Sequence, residues 1–70
     1  MKKISGYRYN CYWFGITRTG KIAALCNVQY EDEADLLADY DRTGDHGGLI
    51  RVYEDGTEEQ IRPVKDEVTA

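Results

Sequence analysis

The chain has few of the features that mark enzymes, membrane proteins or secreted mini-proteins. Its 70 residues include two cysteines and one histidine, and without a CxxC pair the spacings of zinc sites are absent. Neither GxGxxG nor a GxxxxGKS or GxxxxGKT loop occurs, so no phosphate-binding loop is indicated. No apolar run approaches the ~20 residues of a membrane span, and no apolar segment follows Lys2 and Lys3 as in a secretory signal. Because secreted domains of this size usually carry more cysteines, we expect a cytoplasmic protein without a cofactor.

What is present is the composition of one small globular domain with an uneven distribution of charge. Apolar residues make up 41% of the chain and charged residues 31%, with a formal net charge of −4. Residues 1–30 contain five basic and no acidic residues, whereas residues 31–70 contain all 13 acidic residues and four basic ones. This asymmetry indicates either a charged binding face or two halves that fold against each other and partly cancel their fields.

The first half of the chain has the pattern of a β-hairpin. Residues 7–17 are rich in aromatic and β-branched residues, which favour strands. Thr17–Lys21 is predicted to be a turn in which Gly20 adopts the left-handed conformation of a three-residue loop with a bulge. Residues 21–30 are predicted to form the return strand.

The second half predicts one helix followed by a second hairpin. Apolar residues recur at helical spacing over about 32–43, with Asp32 as the N-cap and Gly44 at the end. Residues 49–53 and 58–62 are predicted strands joined by an Asp-Gly turn at Asp55. The chain is therefore predicted to be a single α+β domain, ββαββ, over residues 1–64, with four mainly antiparallel strands, one helix on one face and a frayed tail at 65–70.

The register of the first hairpin decides which aromatic side chains are exposed. If Thr17 pairs with Lys21, then Tyr7, Tyr9 and Trp13 lie on the outer face. The core face then holds Tyr12, Phe14, Ile16, Ile22, Ala24, Cys26 and Val28. A turn one residue tighter places Cys11 opposite Cys26 and reverses the faces of the first strand. We favour the first register because Gly20 fits the bulged turn.

Two surfaces are candidate protein interfaces. Tyr7, Tyr9 and Trp13 form an aromatic strand face, and such residues are enriched at binding hot spots. The helix carries Asp32, Asp35, Asp39 and Asp41, which would attract a partner with a basic surface or imitate nucleic-acid phosphates. Each surface also has a simpler interpretation. The acidic helix face would be an ordinary solvated surface, and the aromatic face would be covered by the C-terminal segment or by a homodimer.

Three other groups of residues are considered for binding or chemistry: basic residues of the first half, the histidine and the cysteines. Arg8, Arg18 and Lys21 lie among aromatic residues, as in modules that stack bases and hold phosphates, but the net charge disfavours nucleic-acid binding. His46 is interpreted as a solvated loop residue, although a homo-oligomer with a ligand pocket near it is a further alternative. Cys11 and Cys26 are interpreted as small buried or half-buried apolar residues.

Two resemblances accompany these patterns. The turn Thr17–Lys21, followed by strand, helix and strands, resembles the opening of a β-grasp, ubiquitin-like domain, which implies a related fold. The terminal di-glycine of ubiquitin-like modifiers is missing, so a modifier role is not implied. In size, charge and layout the chain is similar to small accessory proteins of bacteriophages and mobile elements, including anti-CRISPR and other anti-defence inhibitors. That resemblance implies a non-enzymatic inhibitor that docks on a basic surface of a host nucleic-acid-handling complex.

Overall fold

The computed structural model of the chain describes residues 2–9, 12–43 and 47–64. Within these ranges it contains six strands and one helix. In chain order they are β1 (Ile4–Tyr9), β2 (Tyr12–Ile16), β3 (Ile22–Ala24), β4 (Gln29–Tyr30), α1 (Glu33–Thr43), β5 (Gly47–Tyr53) and β6 (Glu58–Val64). The strands form a single sheet in the order β4-β3-β2-β1-β5-β6, and all neighbouring pairs are antiparallel. The predicted α+β class with one helix is confirmed, but the sheet has six strands where the sequence predicted four.

The two extra strands arise because each predicted strand of the first hairpin reverses direction and forms two antiparallel strands. The predicted strand 7–17 is divided into β1 and β2, with Tyr9 opposite Tyr12 and Tyr7 opposite Phe14. The predicted strand 21–30 is divided into β3 and β4, with Ile22 opposite Tyr30. Both divisions add antiparallel neighbours within a short stretch of chain.

Three hairpins close with the same three-residue turn. In the turn between β2 and β3, the Thr17 amide donates to the Lys21 carbonyl at 2.9 Å, which confirms the favoured register. The β3–β4 turn and the β5–β6 turn repeat this bonding pattern. The third loop residue has positive φ in each, at Gly20 (89°), Asn27 (68°) and Gly56 (92°), as the bulged turn requires. The predicted turns at Gly20 and Gly56 are therefore confirmed, and the turn at Asn27 is additional.

The sheet has two different faces. The helix face, which α1 covers, includes Tyr7, Tyr9, Phe14, Ala24 and Arg51. The open face, on which no described helix packs, includes Arg8, Trp13, Gly15, Ala23 and Ile50.

The core lies between α1 and the helix face. The buried apolar residues are Tyr7, Phe14, Ile22, Ala24, Leu36 and Leu49. Of the residues predicted for the core face, Tyr12, Ile16 and Val28 are instead 38–44% exposed. Tyr12 begins β2, Ile16 ends it, and Val28 lies between β3 and β4. One 11-residue helix is only about 16 Å long and does not fully cover these positions.

The helix begins as the sequence predicts. Asp32 caps it: its Oδ1 accepts a hydrogen bond from the Asp35 amide at 3.1 Å. Its first turn is fastened to the sheet by Glu33, which accepts two hydrogen bonds from Arg51, at 2.9 and 2.5 Å, and one from the Tyr7 hydroxyl at 2.7 Å. The hydrogen bonds from Arg51 hold the pKa of Glu33 below its usual value. The predicted helix end at Gly44 and the predicted tail at 65–70 lie outside the described residues.

Candidate functional site

The three aromatic residues predicted to share an exposed strand face are separated in the structure. Tyr7 is 1% exposed, beneath the helix, and burial raises the pKa of its hydroxyl. Tyr9 is half-buried on the same face, whereas Trp13 lies on the open face with 36% of its surface exposed. The predicted aromatic face is therefore wrong, because the reversal between Tyr9 and Tyr12 places Tyr7 directly opposite Phe14.

Trp13 lies over two glycines of the open face. A Cβ added to Gly6 would come within 2.8 Å of Trp13 Cζ2, and one added to Gly15 within 3.3 Å of Trp13 Nε1. The half-buried Ile50 and Val52 lie on the same face. The glycines thus let the indole lie flat on the sheet.

A concavity within the described residues lies between the second half of α1 and the helix face. This aromatic cleft has a volume of about 260 Å³ and opens to solvent. It is lined by Tyr9, Tyr12, Phe14, Cys26, Tyr30, Leu36, Asp39, Tyr40, Thr43 and Leu49. Five of these ten residues are aromatic, and only Asp39 carries a formal charge at neutral pH.

The rings of the cleft pack against one another in pairs. Tyr9 stacks on Tyr12 with centroids 6.4 Å apart and meets Tyr40 edge-on at 5.4 Å. Phe14 stacks on Tyr30 at 6.2 Å. These separations lie within the range in which aromatic pairs attract each other beyond simple burial, so the walls of the cleft are held in place before any ligand arrives.

The polar atoms of the cleft differ in their hydrogen-bond partners. The Asp39 carboxylate accepts a hydrogen bond from the Tyr30 hydroxyl at 2.7 Å and a further one from Arg42, whose side chain is largely exposed. Burial raises the pKa of Tyr30, which keeps that hydroxyl a donor. The Tyr40 hydroxyl accepts a hydrogen bond from the Gly48 amide at 2.9 Å. The Tyr9 hydroxyl is buried and has no hydrogen-bond partner among the described residues.

The four acidic residues predicted as an interface have separate positions on α1. Asp32 caps the helix, and Asp35 is exposed one turn further on. Asp39 is half-buried at the cleft, and Asp41 accepts two hydrogen bonds from Arg62, both at 2.9 Å. The predicted acidic interface of the helix is therefore only partly formed, since Asp39 turns toward the cleft.

The three cations considered for nucleic-acid binding are not gathered on one surface. Arg8 lies on the open face and pairs with Glu58 at 2.7 Å. Lys21 pairs with Glu31 at 3.1 Å, and Arg18 is exposed in the β2–β3 turn. Both ion pairs join the basic first half of the chain to the acidic second half, so the fields of the two halves partly cancel.

Cys26 is a free thiol in the β3–β4 turn and is exposed, so its interpretation as a buried or half-buried apolar residue is wrong. The physical reason is the added turn, which lifts this position out of a strand. Cys11 and His46 lie outside the described residues.

Comparison with known proteins adds no relative. No protein-family model, no curated protein and no solved structure matches this chain. Within the described residues, no group of three or more histidine, cysteine, aspartate or glutamate side chains is arranged to hold a metal ion. In the same part of the chain, no helix has the length and apolar character needed to cross a membrane.

The cleft itself was not predicted from the sequence. Tyr9 and Asp39 were singled out for other surfaces, whereas Tyr12, Tyr30 and Tyr40 were not predicted to form a site. Asn27 is the signal that could have helped, because asparagine tolerates positive φ and a turn there places Tyr30 beside Ile22.

Proposed function

We propose that this chain is a non-enzymatic protein-interaction module whose partner presents a basic surface. The observation that carries the proposal is the aromatic cleft, which is open to solvent and bordered by Asp39 of the acidic helix α1. Tyrosine is enriched among the residues that supply most of the binding energy at protein interfaces. A preformed tyrosine-lined cleft is therefore a suitable anchor for a contact.

The helix supplies the second part of the proposed surface. Asp32 and Asp35 are exposed on its first turns, and the exposed Glu31 precedes them. Like charges on one side of a protein accelerate encounter with an oppositely charged partner more than they strengthen the final complex. The acidic helix would thus direct the chain to the partner, and the cleft would hold it there.

The finer form of the proposal is an inhibitor of the bacteriophage type. An acidic surface of this kind would occupy the basic site at which a host complex handles nucleic acid, in the cytosol of a bacterium. The size, net charge and layout of the chain support this form of the proposal.

A tagged pull-down from bacterial lysate, with and without nuclease treatment, tests the proposal. We expect a stoichiometric basic protein that remains after nuclease treatment and is released by raised salt. Retention that disappears with nuclease would refute the proposal and favour direct nucleic-acid binding through Arg8, Arg18 and Lys21.

Charge reversal separates the role of the helix from a general effect of charge. Asp35→Lys changes an exposed residue that does not line the cleft, and Glu54→Lys makes the same change in the exposed β5–β6 turn. At low salt we expect Asp35→Lys to slow association with the captured protein by about tenfold or more, and Glu54→Lys to have little effect. Equal association rates for both variants would contradict a steering role for α1.

A further inference from the structure

The aromatic cleft has the composition of a receptor for a positively charged group. Its aromatic residues are Tyr9, Tyr12, Phe14, Tyr30 and Tyr40. The face of an aromatic ring carries negative potential and attracts an ammonium or guanidinium group within about 6 Å of its centre. The single formal charge in the lining, on Asp39, has the sign that attracts the same ligand.

The carboxylate in the lining favours a cation that carries N–H groups, because hydrogen bonds to a charged acceptor are stronger than those to a neutral one. The Asp39 carboxylate is shared with Arg42, whose side chain is 74% exposed. Because exposed ion pairs between neighbouring helix residues contribute little, an incoming cation can replace Arg42 at modest cost.

The size of the cleft limits the ligand to about one side chain. Its volume of about 260 Å³ is below the ~300–1,000 Å³ of pockets that bind drug-sized molecules. Lysine and arginine place their methylene groups against apolar surfaces while the charged end reaches a polar group. The aromatic rings of the lining can contact the methylene groups of such a side chain, and the carboxylate can bind its charged end.

Building on the function proposed above, we infer that the cleft receives one basic side chain of the partner protein, a lysine or an arginine. The methylene groups would lie against the tyrosine rings, and the charged group would bind Asp39. The cleft is then the specific part of the interface, and α1 is its electrostatic guide.

The direct test is a titration of the isotope-labelled chain with amino-acid probes, followed by NMR. The basic probes are N-acetyl-lysine methylamide and N-acetyl-arginine methylamide, and N-acetyl-norleucine methylamide is the uncharged control. We expect at least one basic probe to bind with a Kd on the order of 1 mM and the norleucine probe to bind at least about tenfold more weakly.

Four variants locate the binding. Asp39→Asn should weaken the basic probe about tenfold, because a charge-assisted hydrogen bond becomes a neutral one. Asp35→Asn makes the same change one turn away, outside the lining, and should have no effect. Arg42→Gln should tighten binding by about twofold to fivefold because it removes a competing cation. Tyr9→Phe keeps the ring and removes only a hydroxyl that is buried out of the ligand's reach, so it should leave binding unchanged.

The outcomes separate this inference from the function on which it rests. Equal binding of the norleucine probe, or no response to Asp39→Asn and Arg42→Gln, would overturn the basic side chain as the ligand. If the lysate experiment still retains a basic protein while neither basic probe binds, the interaction module stands and this inference fails. If a basic probe binds as expected but no protein is retained, the proposed function fails and the cation-binding cleft stands.

Discussion

Replacing Tyr9 with phenylalanine is expected to stabilise the fold without weakening the binding of a basic ligand. The substitution removes one buried hydroxyl that has no hydrogen-bond partner in the described part of the chain and keeps the ring that stacks on Tyr12 and meets Tyr40. A buried polar group without a partner costs about 1–3 kcal/mol. Because the Tyr9 residue as a whole is only half-buried, we expect a gain of about 1 kcal/mol, which raises Tm by about 4–8 °C in a domain of this size.

Tyr40→Phe is the matched control, because it removes the same atom from the adjacent ring. The Tyr40 hydroxyl accepts a hydrogen bond at 2.9 Å from the amide of Gly48, which is buried. Its loss leaves that amide without this partner, so we expect Tyr40→Phe to destabilise the fold by about 1–2 kcal/mol. The two substitutions should therefore change Tm in opposite directions.

Thermal unfolding of the three proteins, followed by circular dichroism at neutral pH, measures both effects. Urea unfolding at 25 °C gives the corresponding free energies and shows whether the m-value is constant. If Tyr9→Phe lowers Tm as much as Tyr40→Phe does, the Tyr9 hydroxyl has a partner within the fold. That result would refute the expected cost of this hydroxyl to the folded state.

Two further predictions concern the sheet and its attachment to the helix. Gly6→Ala should destabilise the fold by about 1–3 kcal/mol in urea unfolding, because the added Cβ would overlap the Phe14 carbonyl oxygen of the paired strand and meet the Trp13 ring at 2.8 Å. An unchanged midpoint would show that the β1–β2 pair and the indole can both shift to admit a methyl group. The Glu33 pKa is lowered by its hydrogen bonds from Arg51, so the stabilisation from this carboxylate is complete above its unfolded pKa of about 4.3 and disappears as pH falls through the lower folded value. The measurement is the difference in urea midpoint between the wild type and Glu33→Gln. This difference should be large at pH 7 and smaller at pH 3. A difference that is the same at both pH values would contradict the role of the Glu33 carboxylate.

The helix and two of the turns could be predicted from the sequence because each depends on local signals. Asp32 is a capping residue followed by apolar residues at helical spacing, and it caps α1 in the structure. Gly20 and Gly56 supply the positive φ that their turns require. These features follow from a few neighbouring residues and need no knowledge of the rest of the chain.

The reversals that add two strands could not be predicted in the same way. Residues 7–17 are dense in strand-favouring side chains, and such a run indicates a strand without indicating where it turns. The β3–β4 turn has Asn27 rather than glycine at its positive-φ position. Since Tyr9 faces Tyr12 and Tyr30 faces Ile22 only after these reversals, the aromatic cleft is a property of the fold that no short motif encodes.

The most direct test of the central claim is to locate the captured partner on the isotope-labelled chain by NMR. The chain contains one tryptophan, and its indole lies on the open face, opposite the cleft, so it is an internal control. We predict that adding the partner shifts the amide signals of Tyr9, Tyr30 and Asp39 and leaves the Trp13 indole signal in place. A shift of the Trp13 signal with unchanged cleft residues would contradict recognition through the cleft and assign it to the open face.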